Sequence, residues 1–249
     1  MKEFTLTTDD GVDLRAVHWV PARPSDTAIV LVHGFTASRR NPEVVAVAQS
    51  LLAAGYQVVS YDMRGHHDSG GECTLGDSER HDVAAAVAFA RTVADRVVTV
   101  GASMGAIAVL RHASADASLD GVVTVSSPAQ WKLPRNVRSV LAALMTRTEW
   151  GRSLAARHLK VRIDPTWTNA PAPEELVRLI QAPLGIVHGD ADRMIPLSEA
   201  HRLFGGVAGR SRLDVVRGMG HAFHAPAIPA ILSAVGWALT HSAPTALSV

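Results

Sequence analysis

The chain has 249 residues, 47% apolar and 19% charged, a balance that suits a packed globular core and argues against disorder. A formal net charge of +1 leaves no bulk attraction to nucleic acid or membrane, and no apolar run is long enough to form an integral membrane segment. Cys73 is the one cysteine, which rules out an intrachain disulfide; with no charged-then-apolar leader at Met1-Lys2-Glu3-Phe4, a cytoplasmic protein is expected.

Two alternating segments open the chain, Phe4 to Thr8 and Leu14 to Val20, and Asp9-Asp10-Gly11 between them predicts a hairpin turn. The run Ala28 to Val32 is apolar throughout, as in a strand buried on both faces. A helix is predicted from Pro42 to Ala54, with Val44, Val45, Ala48, Leu51 and Leu52 on one side and Gly55 as its stop. Strand and helix then alternate: Gln57 to Tyr61, helix Asp82 to Val93, Val97 to Val100, helix Met104 to Ala113, and Gly121 to Val125. At Ser126-Ser127-Pro128 the rhythm breaks, and the next fifty or so residues hold helical patterns without a convincing strand. It resumes with strand Leu184 to His188, helix Ser198 to Phe204, strand Leu213 to Val216 and helix Pro229 to Leu239. Such alternation predicts an α/β fold with a mostly parallel sheet of eight strands, one of them antiparallel near the start, and helices on both faces. One domain over 1–249 is expected, with an insertion from about 128 to 180.

The strongest chemical signal is Gly101-Ala102-Ser103-Met104-Gly105, between a predicted strand and a predicted helix. A sharp strand-to-helix turn lifts its central side chain clear of the sheet and leaves room only for small residues two positions away on either side. A dinucleotide fingerprint would need glycine where Ser103 stands, and no phosphate-binding G-x-x-x-x-G-K-[ST] run occurs, so no cofactor is expected. A serine hydroxyl needs a base, and the base an orienting acid. Gly189-Asp190-Ala191-Asp192 and Gly218-Met219-Gly220-His221 each follow a late strand, at the sheet edge where ligands collect. Asp190 and Asp192 compete for the acid, and His221 and His224 for the base; His221, directly after Gly220, is preferred. His66, His67 and His81 lack helical ligand spacing, and no metal is expected.

These motifs resemble the α/β-hydrolase family over nearly the whole chain, nearest to its serine esterase and monoacylglycerol-lipase-like branch. His33-Gly34-Phe35 is similar to the family's His-Gly step, which implies that the backbone N–H groups of Phe35 and Met104 form an oxyanion hole. Asp192-Arg193-Met194-Ile195-Pro196 is similar to the family's acid and its apolar-Pro sequel, and that spacing favours Asp192 over Asp190. Asp62-Met63-Arg64-Gly65-His66 resembles the D-x-R-G-x-G turn, except that His67 replaces the second glycine, so an altered turn is expected there. Serine at the elbow disfavours the epoxide hydrolases and haloalkane dehalogenases of the family, which carry Asp.

The resemblance makes the insertion a small helical cap. Val137, Val140, Leu141 and Leu144 fall on one helical face, either as the roof of an acyl pocket or as an ordinary buried stripe. His33, Trp131, Leu141, Met145 and His224 are assigned to substrate binding, and His33 and His188 are also read as bracing backbone. The insertion is basic: Lys132, Arg135, Arg138, Arg147, Arg152, Arg157, Lys160 and Arg162 face Glu149 alone. That is either a solvated face or a device to steer an anionic thioester or membrane surface. The expected activity is hydrolysis of a small-molecule carboxylic ester through an acyl-serine. The alternatives are an acyl thioesterase on the same triad and a receptor that keeps the fold without turnover. Oligomeric state is not legible.

Overall fold

A run of β-branched residues has no polar face to turn to water, so it belongs in the middle of a sheet. In the computed structural model, which describes residues 1–131, 143–167 and 170–242, Thr27–Val32 (β3) is buried along its whole length. The other strands are β1 (Lys2–Thr7), β2 (Asp13–Trp19), β4 (Gln57–Tyr61), β5 (Arg96–Ala102), β6 (Gly121–Val125), β7 (Leu184–Gly189) and β8 (Ser211–Val216). They form one eight-stranded sheet in the order β1-β2-β4-β3-β5-β6-β7-β8. Strand β2 runs antiparallel to both neighbours and every other pairing is parallel, so the expected single antiparallel strand is β2.

The helices described over their whole length are α1 (Pro42–Ala53), α2 (Glu79–Arg91), α3 (Met104–Ala113), α4 (Glu149–Leu154), α5 (Pro173–Leu176), α6 (Leu197–Gly206) and α7 (Ala227–His241). A π-helical turn, Ala155–Leu159, continues α4. Alternate residues of β3 serve two cores. Ile29 and Leu31 pack with Val44, Val47 and Leu51 of α1 and Ile231 and Val235 of α7. Ala28, Val30 and Val32 pack with Val83, Val87, Ala108 and Val109 of α2 and α3.

Two helix starts differ from the periodicity by more than one residue. Helix α2 begins at Glu79, three residues early, because the buried Glu79 carboxylate accepts bonds from the Thr74 and Gly76 amides and holds the preceding loop against the helix. Helix α7 begins at Ala227, which leaves Pro229 in the first turn, where its missing N–H costs nothing. None of the described helices is long and apolar enough to cross a membrane. The carboxyl ends of β3 to β8 share one edge, and the chain leaves that edge at His33, Asp62, Ser103, Ser126, Asp190 and Arg217 in turn.

Candidate active site

Ser103 is held at φ 54°, ψ −115°, a strained conformation for a residue with a side chain, between β5 and α3. The flanking glycines are required by contact. A Cβ on Gly101 would lie 2.3 Å from the Gly105 carbonyl oxygen, and one on Gly105 would lie 2.3 Å from that of His33. The elbow therefore closes on itself and on the end of β3.

The late loops bring their side chains to it. His221 Nε2 lies 3.0 Å from Ser103 Oγ, and His221 Nδ1 lies 2.8 Å from Asp192 Oδ2. Asp192 Oδ1 accepts the amide protons of Met194 (2.8 Å) and Ile195 (2.9 Å), which aims Oδ2 at the imidazole. Burial alone would raise the Asp192 pKa; the bond and charge of His221 and the two amides outweigh it and hold the carboxyl down to about 2. It is thus an acceptor, and His221 carries its proton on Nδ1 with Nε2 facing the serine hydroxyl. The rivals stand elsewhere. Asp190 accepts the Gly218 amide at 2.7 Å, and exposed His224 accepts that of Gly220 at 3.4 Å.

Phe35 follows β3 and Met104 opens α3. Among the described residues, neither backbone N–H donates a hydrogen bond outside its own element. A Cβ on Gly34 would come within 3.3 Å of Ser103 Cβ, which sets the Phe35 loop directly against the elbow.

The sequence profile of the "Alpha/beta hydrolase family" matches residues 29–228, from β3 through the start of α7. The chain belongs to the alpha/beta hydrolase family. Its relatives include the uncharacterized YqkD of Bacillus subtilis (strain 168), 24% identical over 237 residues that cover 88% of this chain and 72% of the other. The esterase Pf2001 of Pyrococcus furiosus superposes with a TM-score of 0.75 at 24% identity, covering 97% of this chain and 92% of that one. The esterase RhEst1 of Rhodococcus sp. ECU1013 superposes with a TM-score of 0.70 at 21% identity, covering 98% and 100%. At these identities the two structures bear on the fold.

The remaining assigned residues of this hydrolase are placed as follows. His33 is fully buried: its Nε2 accepts the Met63 amide at 3.0 Å, so Nδ1–H donates to the Gly34 carbonyl at 2.8 Å. Burial above all drives its pKa down to about 4. With both nitrogens on backbone, His33 braces the Phe35 loop from behind instead of facing an open cleft. Trp131 is half-buried and donates to the Ala170 carbonyl at 2.6 Å, and Met145 is half-buried beside α4. Leu141 lies outside the described residues. His67, expected to alter its turn, takes up φ 46° itself, so the histidine carries the left-handed conformation that glycine would adopt freely.

Further residues position the site from outside the motifs, and of these His188 takes the backbone-bracing role expected of it. Ser126 Oγ accepts the Ala222 amide at 3.1 Å and ties the His221 loop to the end of β6. His188 Nε2–H donates to the Ile195 carbonyl at 2.9 Å, and so steadies the turn whose amides hold Asp192. The His66 ring stands edge-on to Phe35 (6.2 Å between centroids) and to His33 (5.1 Å). Two signals were available for these: Ser126 directly follows a strand at the functional edge, and His188 ends one. Among the described residues, Asp9, Asp10 and His81 lie within 4.8 Å of one another, but both Asp10 oxygens are engaged by Arg64 (2.7 and 2.9 Å) and Asp9 bonds His81.

Proposed function

We propose that the protein is a serine hydrolase that cleaves carboxylic esters through an acyl-serine intermediate. The observation that carries the reading is the unbroken line from Ser103 Oγ to His221 to Asp192, at 3.0 and 2.8 Å. In the first half-reaction, His221 Nε2 takes the Ser103 proton as Oγ attacks the ester carbonyl carbon. Asp192 stabilises the resulting imidazolium. The carbonyl oxygen becomes an oxyanion, and the Phe35 and Met104 N–H groups are free to donate to it. Collapse of the tetrahedral adduct breaks the ester C–O bond, and His221 gives its proton to the departing alkoxide. In the second half-reaction a water loses its proton to Nε2 and attacks the acyl carbon. Collapse then frees the carboxylic acid and returns the proton to Oγ.

In this reading the chain works as one catalytic domain, and residues 128–180 form a cap over the acyl site. Its support is that Val161 and Ile163 bridge to His66 and Cys73, in the loop that follows β4 at the same edge. Trp131 and Met145 would line its inner side, and His224 the rim. A thioester in place of the oxygen ester would pass through the same steps, and exposed Arg157 and Lys160 favour an anionic acyl carrier.

The test is labelling by a fluorophosphonate probe together with turnover of short p-nitrophenyl esters, which separates an enzyme from a ligand receptor. Labelling at Ser103 with multiple turnovers is expected; an unlabelled Ser103 in folded protein would overturn the reading. A panel of oxygen esters of rising chain length against matched acyl-CoA thioesters then ranks the two substrate classes.

A further inference from the structure

Helix α4 is amphipathic in the wrong sense for a helix that serves only its own domain. Its inward face is Gly151 and, one turn on, Ala155, both buried. A Cβ on Gly151 would lie 2.1 Å from the Leu144 carbonyl oxygen and 2.7 Å from Met145 Cα, so nothing larger fits beneath the helix. The large apolar residues point away. Trp150 is 71% exposed, Leu154, four residues on and on the same face, 36%, and Leu144 46%. Burying such side chains is favourable, and here that gain is left unused. Exposed Arg157 and Lys160 follow directly, and over residues 143–163 Arg147, Arg152, Arg157, Lys160 and Arg162 face Glu149 as the one acid.

A tryptophan and leucines with exposed Arg157 and Lys160 in the same segment have a specific complement: a surface that is apolar at depth and anionic at its rim. We infer that residues 143–160 dock on an anionic lipid bilayer, with Trp150, Leu154 and Leu144 entering the interface and Arg157 and Lys160 meeting lipid phosphates. An acidic protein surface would satisfy the cations, but not three large exposed apolar side chains. Because the segment is tied at Val161 and Ile163 to the loop after β4, docking brings the functional edge of the sheet to the membrane. Resting on the hydrolase reading above, this points to acyl esters held in or released from a bilayer as the substrate class.

Binding is best measured on the Ser103→Ala protein, so that lipid is not consumed and the outcome is independent of whether the chain hydrolyses esters. Co-sedimentation is compared for vesicles of phosphatidylcholine alone and of equal parts phosphatidylglycerol and phosphatidylcholine. The expected result is binding to the mixed vesicles tighter by on the order of tenfold or more, fading as salt rises. Trp150→Ser with Leu154→Ser should weaken it by about tenfold. Arg157→Gln with Lys160→Gln should erase the preference for phosphatidylglycerol. Both pairs are exposed, and an unchanged thermal midpoint checks the fold. A measurement free of mutation is quenching of tryptophan emission by phospholipids brominated in the acyl chain, expected with the mixed vesicles. Absence of binding and of quenching overturns the proposal. So does binding to polyglutamate, with the same dependence on Arg157 and Lys160, where vesicles fail.

Discussion

The elbow at Ser103 and helix α4 obey one packing rule and end with opposite surfaces. In both, backbone comes so close to backbone that only glycine fits: Gly105 against the His33 carbonyl, Gly151 against that of Leu144. At the elbow the closeness serves to raise one hydroxyl into reach of an imidazole, and the neighbouring side chains, Ala102 and Met104, are buried. At α4 it turns a tryptophan and a leucine out to water. A glycine contact therefore says that something is being presented; the side chain on the far face says to what. One region presents the hydroxyl proposed as nucleophile, the other an apolar, cationic face.

Ser103 is where the two regions should differ most. Ser103→Ala should abolish fluorophosphonate labelling and lower kcat by about 10⁴ to 10⁶. His221→Ala should do comparable damage, whereas His224→Ala should cost less than about tenfold, since among the described residues the His224 ring bonds only the Gly220 amide. Steady-state kinetics on one soluble ester decides all three, and a more harmful His224→Ala would require another base.

The two glycines should differ in what their loss does to catalysis. Gly105→Ala forces the His33 carbonyl, and with it the Phe35 loop, away from the elbow. We expect a loss of roughly 1–3 kcal/mol in stability and a fall in kcat of about tenfold or more, despite the better helix propensity of alanine. Gly151→Ala has an equally severe local clash but no connection to His33. Denaturant unfolding should register a similar cost, with kcat per labelled serine changed less than about twofold. Equal kinetic damage from both would mean that α4 is part of the machinery for soluble substrates.

Most of this architecture was legible because exclusion leaves marks in sequence. A continuous apolar run rich in β-branched residues and bounded by polar ones, such as Ala28 to Val32, suits a central strand, and glycine two residues either side of Ser103 reflects positions where a Cβ would meet a carbonyl oxygen at 2.3 Å. The rivalry between Asp190 and Asp192 was harder, because both follow the same strand. Three-dimensional reach separates them: Asp190 turns to Gly218, and Asp192 to His221. What escaped is Ser126, which supports the His221 loop by hydrogen-bonding its backbone from another strand, with no fixed spacing that a motif could record. His188, expected to brace backbone, does so at the Ile195 carbonyl, although its link to Asp192 has no motif either. Helix α4 escaped for a further reason. Its outward Trp150 and inward Gly151 are adjacent letters, and which one faces the core depends on how closely 144–145 approaches.

The smallest effect tests the electrostatics of Asp192. Its side chain is fully buried, and bonds from His221, Ile195 and Met194 prevail over burial to hold its pKa near about 2, against 3.8 for the free group. A carboxyl whose pKa is depressed by folding stabilises the fold fully above the unfolded value, and that contribution drains away as pH falls from about 3.8 toward 2. Asp192→Asn has nothing to titrate there. Both proteins lose stability in acid through their other carboxylates, so the informative quantity is the gap between them. We expect the gap to narrow by roughly 1 kcal/mol between pH 6 and pH 3, as the native protein alone gives up the Asp192 contribution. Urea unfolding of the two proteins at intervals across that range reads it directly. Parallel curves would mean that the imidazole and the two amides do no more for Asp192 than water does, and that the carboxylate is not the preorganised acceptor from which the orientation of His221 was argued.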